Sequence, residues 1–302
     1  MSAEENAVIL VAGATGILGS HICCLLVERG KPVRALVRST SDPGKIENLK
    51  QLGVELVVGD LKDQPSLDAA CQGVASVITT VATTISRQPG DSFRATDLEG
   101  QKKLVDAACA AGVQHFVYLS VSGIIPAQGS FIEAKRAVEE YLRGSGMTCS
   151  IVRPGPFMEV WLSPFVGFDI ANAKARVFGS GEGKLSWTSL GDVAQFAIEV
   201  LDRPAARNVT LELVGPEWLS HLEVVRLCEE ISGRPFEVQH VPQEDLLTQL
   251  MAATDERQQA LTGLMLFMAQ GETHSTDMQA TLQAVPLRRA SVRDFITSSL
   301  SR

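Results

Sequence analysis

Residues 11–21 have the sequence VAGATGILGSH and connect an apolar run to a helical pattern that extends from about Ile17 to Arg29. Three glycines, Gly13, Gly16 and Gly19, recur within this stretch. A side chain at these positions would block the tight turn, the approach of the backbone to a phosphate group, and the packing of the helix on the strand. The start of the helix offers free N–H groups and the positive end of the helix dipole. The stretch therefore predicts a phosphate-binding turn at the first strand–helix junction of a nucleotide-binding fold.

The segments that follow alternate between apolar runs and helical patterns. The apolar runs are nearly continuous in Val, Ile and Leu, which is typical of strands buried on both faces. Strands separated by helices imply right-handed crossovers and a parallel sheet covered by helices. The predicted strands are 7–12, PVRALVR (32–38), VELVVGD (54–60), ASVITTVA (75–82), HFVYLSVSG (115–123) and CSIVRP (149–154). We predict an α/β fold with a doubly wound parallel sheet, a Rossmann domain, over residues 1–155.

The alternation loosens after Pro154. The predicted elements there are two short strands, NVTLELVG (208–215) and FEVQHVP (236–242), a helix from about Ser220 to Ile231, and a helical region from about Glu244 to Gln270. The Leu, Met and Phe side chains of the last region either pack a small lobe or line a pliable substrate pocket. We predict a smaller C-terminal α+β lobe over residues 156–302 that binds a substrate or partner, with some segments returning to the Rossmann domain. Asp192 suits the N-cap of a helix beginning at Val193.

The composition excludes several classes of protein. Of the 302 residues, 45% are hydrophobic and 21% are charged, so the chain can bury a full core. The net charge of −8 argues against a nucleic-acid-binding surface, which would need clustered Lys and Arg. No apolar run approaches the roughly 20 residues of a membrane helix, and the first apolar stretch breaks at glycines, unlike a signal peptide. The six cysteines and five histidines show no metal-ligand spacing. We expect a cytoplasmic protein with free thiols, no metal, no nucleic acid and no membrane; its oligomeric state is left open.

The end of the second predicted strand indicates which dinucleotide is bound. NAD binders place an Asp or Glu there for the ribose 2′-hydroxyl, whereas NADP binders use an Arg for the 2′-phosphate. This strand ends at Arg38 without a carboxylate, and Ser39, Thr40 and Ser41 follow as further phosphate donors. The pattern favours NADP(H) over NAD(H), and Arg34 is a weaker candidate for the same role. The alternative is that Arg38 is a solvated loop cation.

Other candidate cofactor residues follow predicted strands, because ligands of open α/β sheets bind at the carboxyl edge. Asp60 follows the third strand, where its carboxylate could face an adenine amino group or cap the next helix. The candidates from these motifs are Gly13, Thr15, Gly16, Ile17, Leu18, Gly19, Arg38, Asp60, Leu61, Val81, Ala82 and Thr83.

These motifs together resemble the atypical short-chain dehydrogenase/reductase superfamily and, more narrowly, its NmrA-like branch. The resemblance is carried by GATGILG (13–19), VRALVR (33–38), GDL (59–61), FVYLSVSG (116–123), IVRPGPFME (151–159) and TSLGDVA (188–194). It extends from about Val8 to Gly215, and residues 214–238 resemble the C-terminal lobe of that branch. It implies that Ser120 and Ser122 fall near the position of the superfamily's catalytic serine. It also implies that the loop with Pro154 and Phe157 crosses the nicotinamide face and opens the substrate pocket, so Ser120, Pro154 and Phe157 are further cofactor-binding candidates.

The stretch GSFIEAKRAVEEYL (129–142) predicts an amphipathic helix with Lys135 on or beside its apolar face. A buried lysine needs a partner. Catalytic members of the superfamily carry Tyr-x-x-x-Lys on this helix, with the tyrosine as general acid and the lysine on the nicotinamide ribose. Phe131 stands at the tyrosine position here and cannot donate a proton. The resemblance therefore makes Lys135 the candidate catalytic and cofactor-binding residue; the alternative is a snorkelling surface lysine.

The missing hydroxyl leaves two hypotheses for function. The first is an NADPH-dependent oxidoreductase that delivers hydride to a small apolar acceptor, quinonoid or unsaturated. The second is an NAD(P)-binding redox sensor or assembly factor that partners a regulated protein with little or no turnover. The candidate substrate contacts are Ser122, Phe131, Phe157, Met158 and Trp161. The last three could instead form a hydrophobic seam between the lobes.

Overall fold

A computed structural model describes residues 7–85, 88–126 and 128–301. The predicted domain limits at residues 1 and 302 lie outside this part of the chain. The elements of the first half are β1 (Val8–Ala12), α1 (Ile17–Glu28), β2 (Val33–Val37), α2 (Pro43–Gln51), β3 (Glu55–Val58), α3 (Gln64–Cys71), β4 (Val74–Thr79), a π-helical segment (Phe93–Gly100), α4 (Gln101–Ala110), β5 (His115–Leu119), α5 (Ser130–Gly144) and β6 (Cys149–Pro154).

The second half contains shorter strands and more helices. Its elements are α6 (Met158–Trp161), β7 (Phe168–Asp169), β8 (Lys174–Phe178), β9 (Lys184–Ser186), α7 (Leu190–Glu199), β10 (Val209–Leu213), β11 (Trp218–Ser220), α8 (His221–Ser232), β12 (Glu237–Val241), α9 (Gln243–Ala252), α10 (Glu256–Gln270), α11 (Gln279–Ala284) and α12 (Val292–Leu300), with short 3₁₀ turns at Pro164–Val166, Val200–Asp202 and Pro204–Ala206.

Within the described residues, the main sheet has seven strands in the order β10-β6-β5-β4-β1-β2-β3. Every neighbouring pair is parallel, and β1 lies between β2 and β4, where Val11 pairs with Ala35 on β2 and with Ile78 on β4. Apolar cores cover both faces of the sheet. The order 3-2-1-4-5-6 is that of a Rossmann fold, so the predicted fold class is confirmed. All carboxyl ends of these strands meet at one edge, called here the carboxyl edge.

Two elements beyond β6 lie with the main sheet. Strand β10 pairs with β6, Val209 opposite Ser150 and Leu213 opposite Pro154, and α7 packs on α1. The remaining strands form a three-stranded sheet, β12-β8-β7, and a two-stranded sheet, β11-β9. Around these sheets a second apolar core includes Trp161, Phe178 and Trp187. We call this part, residues 156–189 and 216–301 without α11, the C-terminal lobe.

One predicted helix start is wrong. Helix α7 begins at Leu190 with Ser189 as its N-cap, whose hydroxyl accepts a hydrogen bond from the Gly191 N–H. Asp192 lies in the first turn, and its carboxylate accepts from the Ala290 N–H at 2.8 Å. The carboxylate thus ties a distant segment to the helix instead of capping it. Among the described helices, none is both long and apolar enough to cross a membrane.

Candidate functional site

The turn between β1 and α1 is shaped by its glycines. Gly13 has a φ of +84°, and a Cβ there would lie 2.6 Å from the Thr80 hydroxyl oxygen. A Cβ on Gly19 would lie 2.1 Å from the Gly13 carbonyl oxygen, so the first turn of α1 sits directly on the loop. Gly16 is the N-cap of α1 and has no side chain with which to cap the first-turn N–H groups. The exposed backbone of this turn fits the phosphates of a dinucleotide.

The predicted residues of this turn lie together at the carboxyl edge. Gly16 and Ile17 are exposed, Ile17 at 63%, while Thr15 and Leu18 are half-buried. The ends of β1 and β4 meet here, since Val81 comes within 3.2 Å of a Cβ built on Gly13. At the start of α1, the apolar side chains of Ile17 and Val81 therefore lie next to the polar backbone of the glycine turn.

Arg38 follows β2 and is not a solvated loop cation. Its Nη1 donates to Asp91 Oδ2 at 2.7 Å, and Lys62 Nζ donates to Asp91 Oδ1 at 2.6 Å. Lys62 also lies 3.2 Å from Asp60 Oδ2. The Asp91 side chain is fully buried, whereas 28% of the Arg38 side chain and 31% of the Lys62 side chain remain exposed. These four residues form a charge cluster at the ends of β2 and β3.

The other cationic candidate, Arg34, is engaged elsewhere. Its guanidinium pairs with Glu55 at 2.9 Å and donates to the carbonyls of Ala70 and Gln72. These contacts join β2, β3 and the end of α3. Arg34 is therefore a structural residue, and Arg38 is the arginine at the carboxyl edge.

Asp60 and Leu61 occupy the turn that follows β3. Asp60 Oδ1 accepts from the Lys62 N–H at 2.8 Å, and the cap position of α3 belongs to Asp63. Leu61 is 5% exposed and packs beneath Gly100, where a Cβ would meet its side chain at 2.8 Å. Asp60 thus neither caps α3 nor lies free, because its carboxylate belongs to the charge cluster.

Lys135 lies on the inner face of α5 and is 2% exposed. Its Nζ donates to the carbonyl oxygens of Val81 and Leu119, both at 3.1 Å. The ammonium also lies 5.1 Å from the ring centroid of Tyr118. The lysine that the sequence turns inward therefore meets the ends of β4 and β5, and the surface-lysine alternative is wrong.

Acidic groups surround this ammonium. Burial lowers the pKa of Lys135, and the nearby carboxylates of Asp97 and Glu139 oppose that shift. Asp97 lies on the π-helical segment and accepts from the Thr83 hydroxyl at 2.5 Å and from the Thr83 N–H at 3.2 Å. Ala82, between Val81 and Thr83, is exposed. The segment after β4 is thereby held against both the lysine and the π-helical segment.

Phe131 fills the position of the superfamily's tyrosine with an apolar ring. It is 6% exposed, its centroid lies 5.3 Å from that of Phe93, and Lys135 Nζ lies 5.8 Å from the same centroid. Ala260 and Leu264 of α10 pack against this aromatic pair. The nearest tyrosine, Tyr118, is fully buried, and its hydroxyl has no hydrogen-bond partner within the described residues. No phenol thus replaces the missing acid.

Helix α10 is fastened across the carboxyl edge at its first turn. Arg257 Nε donates to the Thr84 carbonyl at 2.6 Å, and Glu256 Oε1 accepts from the Phe93 N–H at 3.0 Å. At the other end of α10, a cleft of about 460 Å³ opens against the loop after β5; its lining includes Gly123, Ile124, Pro126, Phe267 and His274. The C-terminal lobe therefore covers Phe131 with the N-terminal part of α10, and the cleft lies at the other end of that helix.

The two predicted serines point into a buried ionic network. Ser120 Oγ donates to Glu139 Oε1 at 2.5 Å, and Ser122 Oγ donates to Glu212 Oε2 at 3.0 Å. Arg153 bonds both glutamates, and Arg136 bonds Glu139 at 2.7 Å. We call Glu139, Glu212, Arg136 and Arg153 the α5 network. Both serines thus help to fix α5 to the sheet.

The loop after β6 divides its predicted residues between two environments. Pro154 ends β6, and Phe157 is half-buried against the main core and forms a bridge with Thr188. Met158 and Trp161 are 0% and 8% exposed and belong to the lobe core, where Trp161 packs edge-on against Phe178 at 6.1 Å. Met158 and Trp161 thus lie inside the lobe core, whereas Phe157 lies against the core of the main sheet.

Several site residues were not found by sequence reasoning. Glu139 is four residues after Lys135, so helical spacing could have placed it on the same face of α5. Lys62 directly follows the GDL motif, but nothing in the local sequence links it to Asp91. Asp97 and Arg257 act through contacts between distant segments, which no spacing rule reveals.

Comparison with known proteins identifies the family. A model of the NmrA-like family matches residues 5–295. The chain is 34% identical over 265 residues to the isoflavone reductase homolog IRL of Zea mays, covering 82% of each chain. It is 34% identical over 230 residues to the NAD(P)H azoreductase of Xenophilus azovorans, covering 75% of this chain and 74% of that protein. It is 29% identical over 240 residues to the photosystem II assembly factor Ycf39 of Trieres chinensis, covering 78% and 72%.

A solved structure supports the same fold. The NADPH-dependent quinone oxidoreductase QOR2 from Escherichia coli, complexed with NADPH, aligns with a TM-score of 0.78 over 97% of this chain and 100% of that chain, at 20% sequence identity. Because the family model spans nearly the whole chain and two of these relatives are 34% identical to it, this chain belongs to the NmrA-like family.

Proposed function

We propose that this protein is an NADPH-dependent reductase of small apolar acceptors, quinonoid or unsaturated. The observation that carries the proposal is the position of Lys135, buried at the same carboxyl edge as the glycine turn and beside a phenylalanine where a tyrosine acid would stand. Its relatives include proteins named as an isoflavone reductase homolog and an NAD(P)H azoreductase.

Different residues of the carboxyl edge would bind different parts of the dinucleotide. The turn from Gly13 to Gly19 would hold the pyrophosphate, Arg38 with Lys62 the adenosine 2′-phosphate, and Lys135 the nicotinamide half. When bound, NADPH supplies a hydride. The loop around Pro154 and Phe157 would lie over this part of the site.

The chain's own residues limit the class of acceptor. Phe131 has no proton to donate, and Tyr118 is fully buried. A ketone, whose reduction needs a proton at the developing alkoxide, is therefore a poor substrate. A quinone is a better one, because the hydroquinone anion left by hydride addition is stable enough to take its proton from water.

One observation favours a second function, that of a dinucleotide-binding sensor or assembly factor. The Lys135 ammonium is satisfied by two backbone carbonyls, and α10 packs over Phe131, so the candidate chemical centre is closed. The relative Ycf39 is named as an assembly factor. In this function the C-terminal lobe would present the bound dinucleotide's state to a protein partner.

Calorimetric titration followed by turnover assays distinguishes the two. We expect wild type to bind NADPH more tightly than NADH, and Arg38→Ala to lose most of that preference. NADPH consumption is then measured against benzoquinone, naphthoquinone and an azo dye for wild type, Lys135→Met and the exposed control Lys174→Met. A loss of about tenfold or more in kcat/KM for Lys135→Met alone supports the reductase. NADPH binding without consumption of any acceptor supports the sensor, and absence of NADPH binding contradicts both.

A further inference from the structure

The charge cluster at the ends of β2 and β3 is balanced. It contains two cations, Arg38 and Lys62, and two carboxylates, Asp60 and Asp91. Asp91 bonds both cations, with one carboxylate oxygen on each. The formal charge of the cluster is therefore zero, and three of its side chains, Arg38, Lys62 and Asp60, are partly exposed while Asp91 is buried.

Asp91 is held firmly in this position. Its carboxylate also accepts from the Gln88 N–H at 2.9 Å and from the Thr96 hydroxyl at 3.2 Å. Burial opposes its ionisation, but the hydrogen bonds from Lys62 and Arg38 outweigh that effect and lower the pKa of Asp91 to about 2. The carboxylate is thus a permanent negative charge at neutral pH.

The segment that carries Asp91 also engages a neighbouring phosphate donor. The Gln88 side chain bonds the Thr40 hydroxyl and donates to the Thr40 carbonyl at 3.0 Å. Thr40 lies two residues after Arg38, in the loop that follows β2. Two groups that would bind an adenosine 2′-phosphate are therefore already bonded to the segment 88–91.

We propose that Asp91 is a specificity-determining residue that limits the preference of this protein for NADPH over NADH. Asp91 occupies an N–H donor of each cation and offsets their positive charge, and its own charge repels a phosphate dianion. A ribose 2′-hydroxyl is neutral and meets neither penalty. The inference rests on the proposed function, since it takes this edge to bind a nicotinamide dinucleotide.

The test compares Asp91→Asn with Asp63→Asn, each titrated with NADPH and with NADH in a calorimeter. Asparagine keeps an acceptor for the Gln88 N–H but removes the charge. Asp63 is exposed and close in sequence to the cluster, so its variant makes the same charge change without freeing either cation. We expect the NADPH dissociation constant to fall at least about fivefold in Asp91→Asn. The NADH dissociation constant of Asp91→Asn, and both dissociation constants of Asp63→Asn, should stay within about twofold of wild type.

A double variant tests whether the tighter NADPH binding depends on Arg38. In Arg38→Gln/Asp91→Asn the improvement in NADPH binding is expected to be lost, because the freed donor is absent. Thermal denaturation checks that each variant is folded, and Asp91→Ser, which also removes the charge, replaces Asp91→Asn if that variant does not fold.

The outcomes separate this inference from the proposed function. Wild type that binds NADPH, with Asp91→Asn unchanged or weaker, overturns the inference alone and makes Asp91 an orienting residue for Arg38. Equal tightening of NADPH and NADH also overturns it, since the effect would not depend on the 2′-phosphate. Wild type that binds neither dinucleotide overturns the proposed function and this inference with it.

Discussion

Gly19 shows how one missing side chain shapes the nucleotide-binding edge. A Cβ at this position would sit 2.1 Å from the Gly13 carbonyl, whereas a Cβ on Gly144, in the last turn of α5, meets nothing within 4 Å. The two glycines are both helical, so they share a backbone conformation and differ in their surroundings.

Replacement of these glycines by alanine should therefore have opposite effects. We expect Gly19→Ala to lower the free energy of unfolding by about 2 kcal/mol or more, because backbone must move. Gly144→Ala should raise it by up to about 1 kcal/mol through helix propensity. Urea denaturation of both variants measures the difference. Equal free energies of unfolding in the two variants would contradict the steric argument.

Lys135 and Arg38 show how far single residues can be predicted from the sequence. The amphipathic pattern of α5 predicts that Lys135 turns inward, and the structure confirms this at 2% exposure. The amphipathic pattern could not predict which groups accept the hydrogen bonds of Lys135, since the carbonyls of Val81 and Leu119 belong to other segments of the chain. The position of Arg38 at the end of β2 was predictable, but its pairing with Asp91 spans 53 residues and depends on tertiary structure.

Helix α5 is fixed to the sheet by charge as well as by apolar packing. Glu139 is 1% exposed and bonds Arg136, Arg153 and Ser120. Burial opposes its ionisation, but the hydrogen bonds from Arg153 and Ser120 outweigh that effect and lower the pKa of Glu139 to about 2. Because the same helix carries Lys135, this network also sets the position of the ammonium.

Removal of the Glu139 charge should destabilise the protein in a pH-dependent way. A carboxyl with a pKa lowered from 4.5 to about 2 contributes stability that is present above pH 4.5 and is lost as the pH falls through 2. We expect Glu139→Gln to lower the free energy of unfolding by about 3 kcal/mol at pH 7 and by clearly less at pH 3. Denaturant titrations at both pH values measure this, with the exposed neighbour Glu140→Gln as control. A loss that is equal at both pH values would count against an ionic origin.

The helices and strands of the main sheet were largely predictable, and the exceptions have physical causes. Continuous apolar runs identify these strands. The strands β1, β2, β3, β5 and β6 fall inside their predicted segments, and β4 begins at Val74, one residue before its segment. A helical sequence pattern does not distinguish the π-helical segment Phe93–Gly100 from the α-helix that follows it; the N-cap of this segment, Ser92, accepts from the Ala95 N–H. Met158 and Trp161 have the same apolar character in a cleft as in a core, so local sequence could not decide between the two.

At the scale of the molecule, the C-terminal lobe buries a titratable group in its apolar core. His221 lies between Trp187, at 5.0 Å between ring centroids, and Phe178, at 6.1 Å. Within the described residues neither ring nitrogen of His221 has a hydrogen-bond partner. Burial lowers the pKa of His221 to about 4.

The protein should therefore lose stability on mild acidification. The unfolded chain takes up a proton at His221 near pH 6.5, but the folded protein does so only near pH 4, so acid favours the unfolded state within this window. At pH 5 the cost is about 2 kcal/mol relative to pH 7. Denaturant titration of wild type and His221→Leu at both pH values measures it, and the variant should show a smaller decrease. Burial also lowers the pKa of His115 to about 4, so part of the loss of stability at pH 5 should remain in both wild type and His221→Leu. Parallel pH profiles would show that His221 does not contribute.

The return of β10 to the edge of β6 has a consequence for how the protein is made. During synthesis, β6 leaves the ribosome well before β10, because the strands β7, β8 and β9 and the helix α7 lie between them in the chain. Until β10 arrives, the nascent sheet exposes an unpaired apolar edge, and α1 lacks the covering of α7. The main sheet is therefore complete only after residues beyond Leu213 have been made, and the β6 edge is open to intermolecular pairing during that interval.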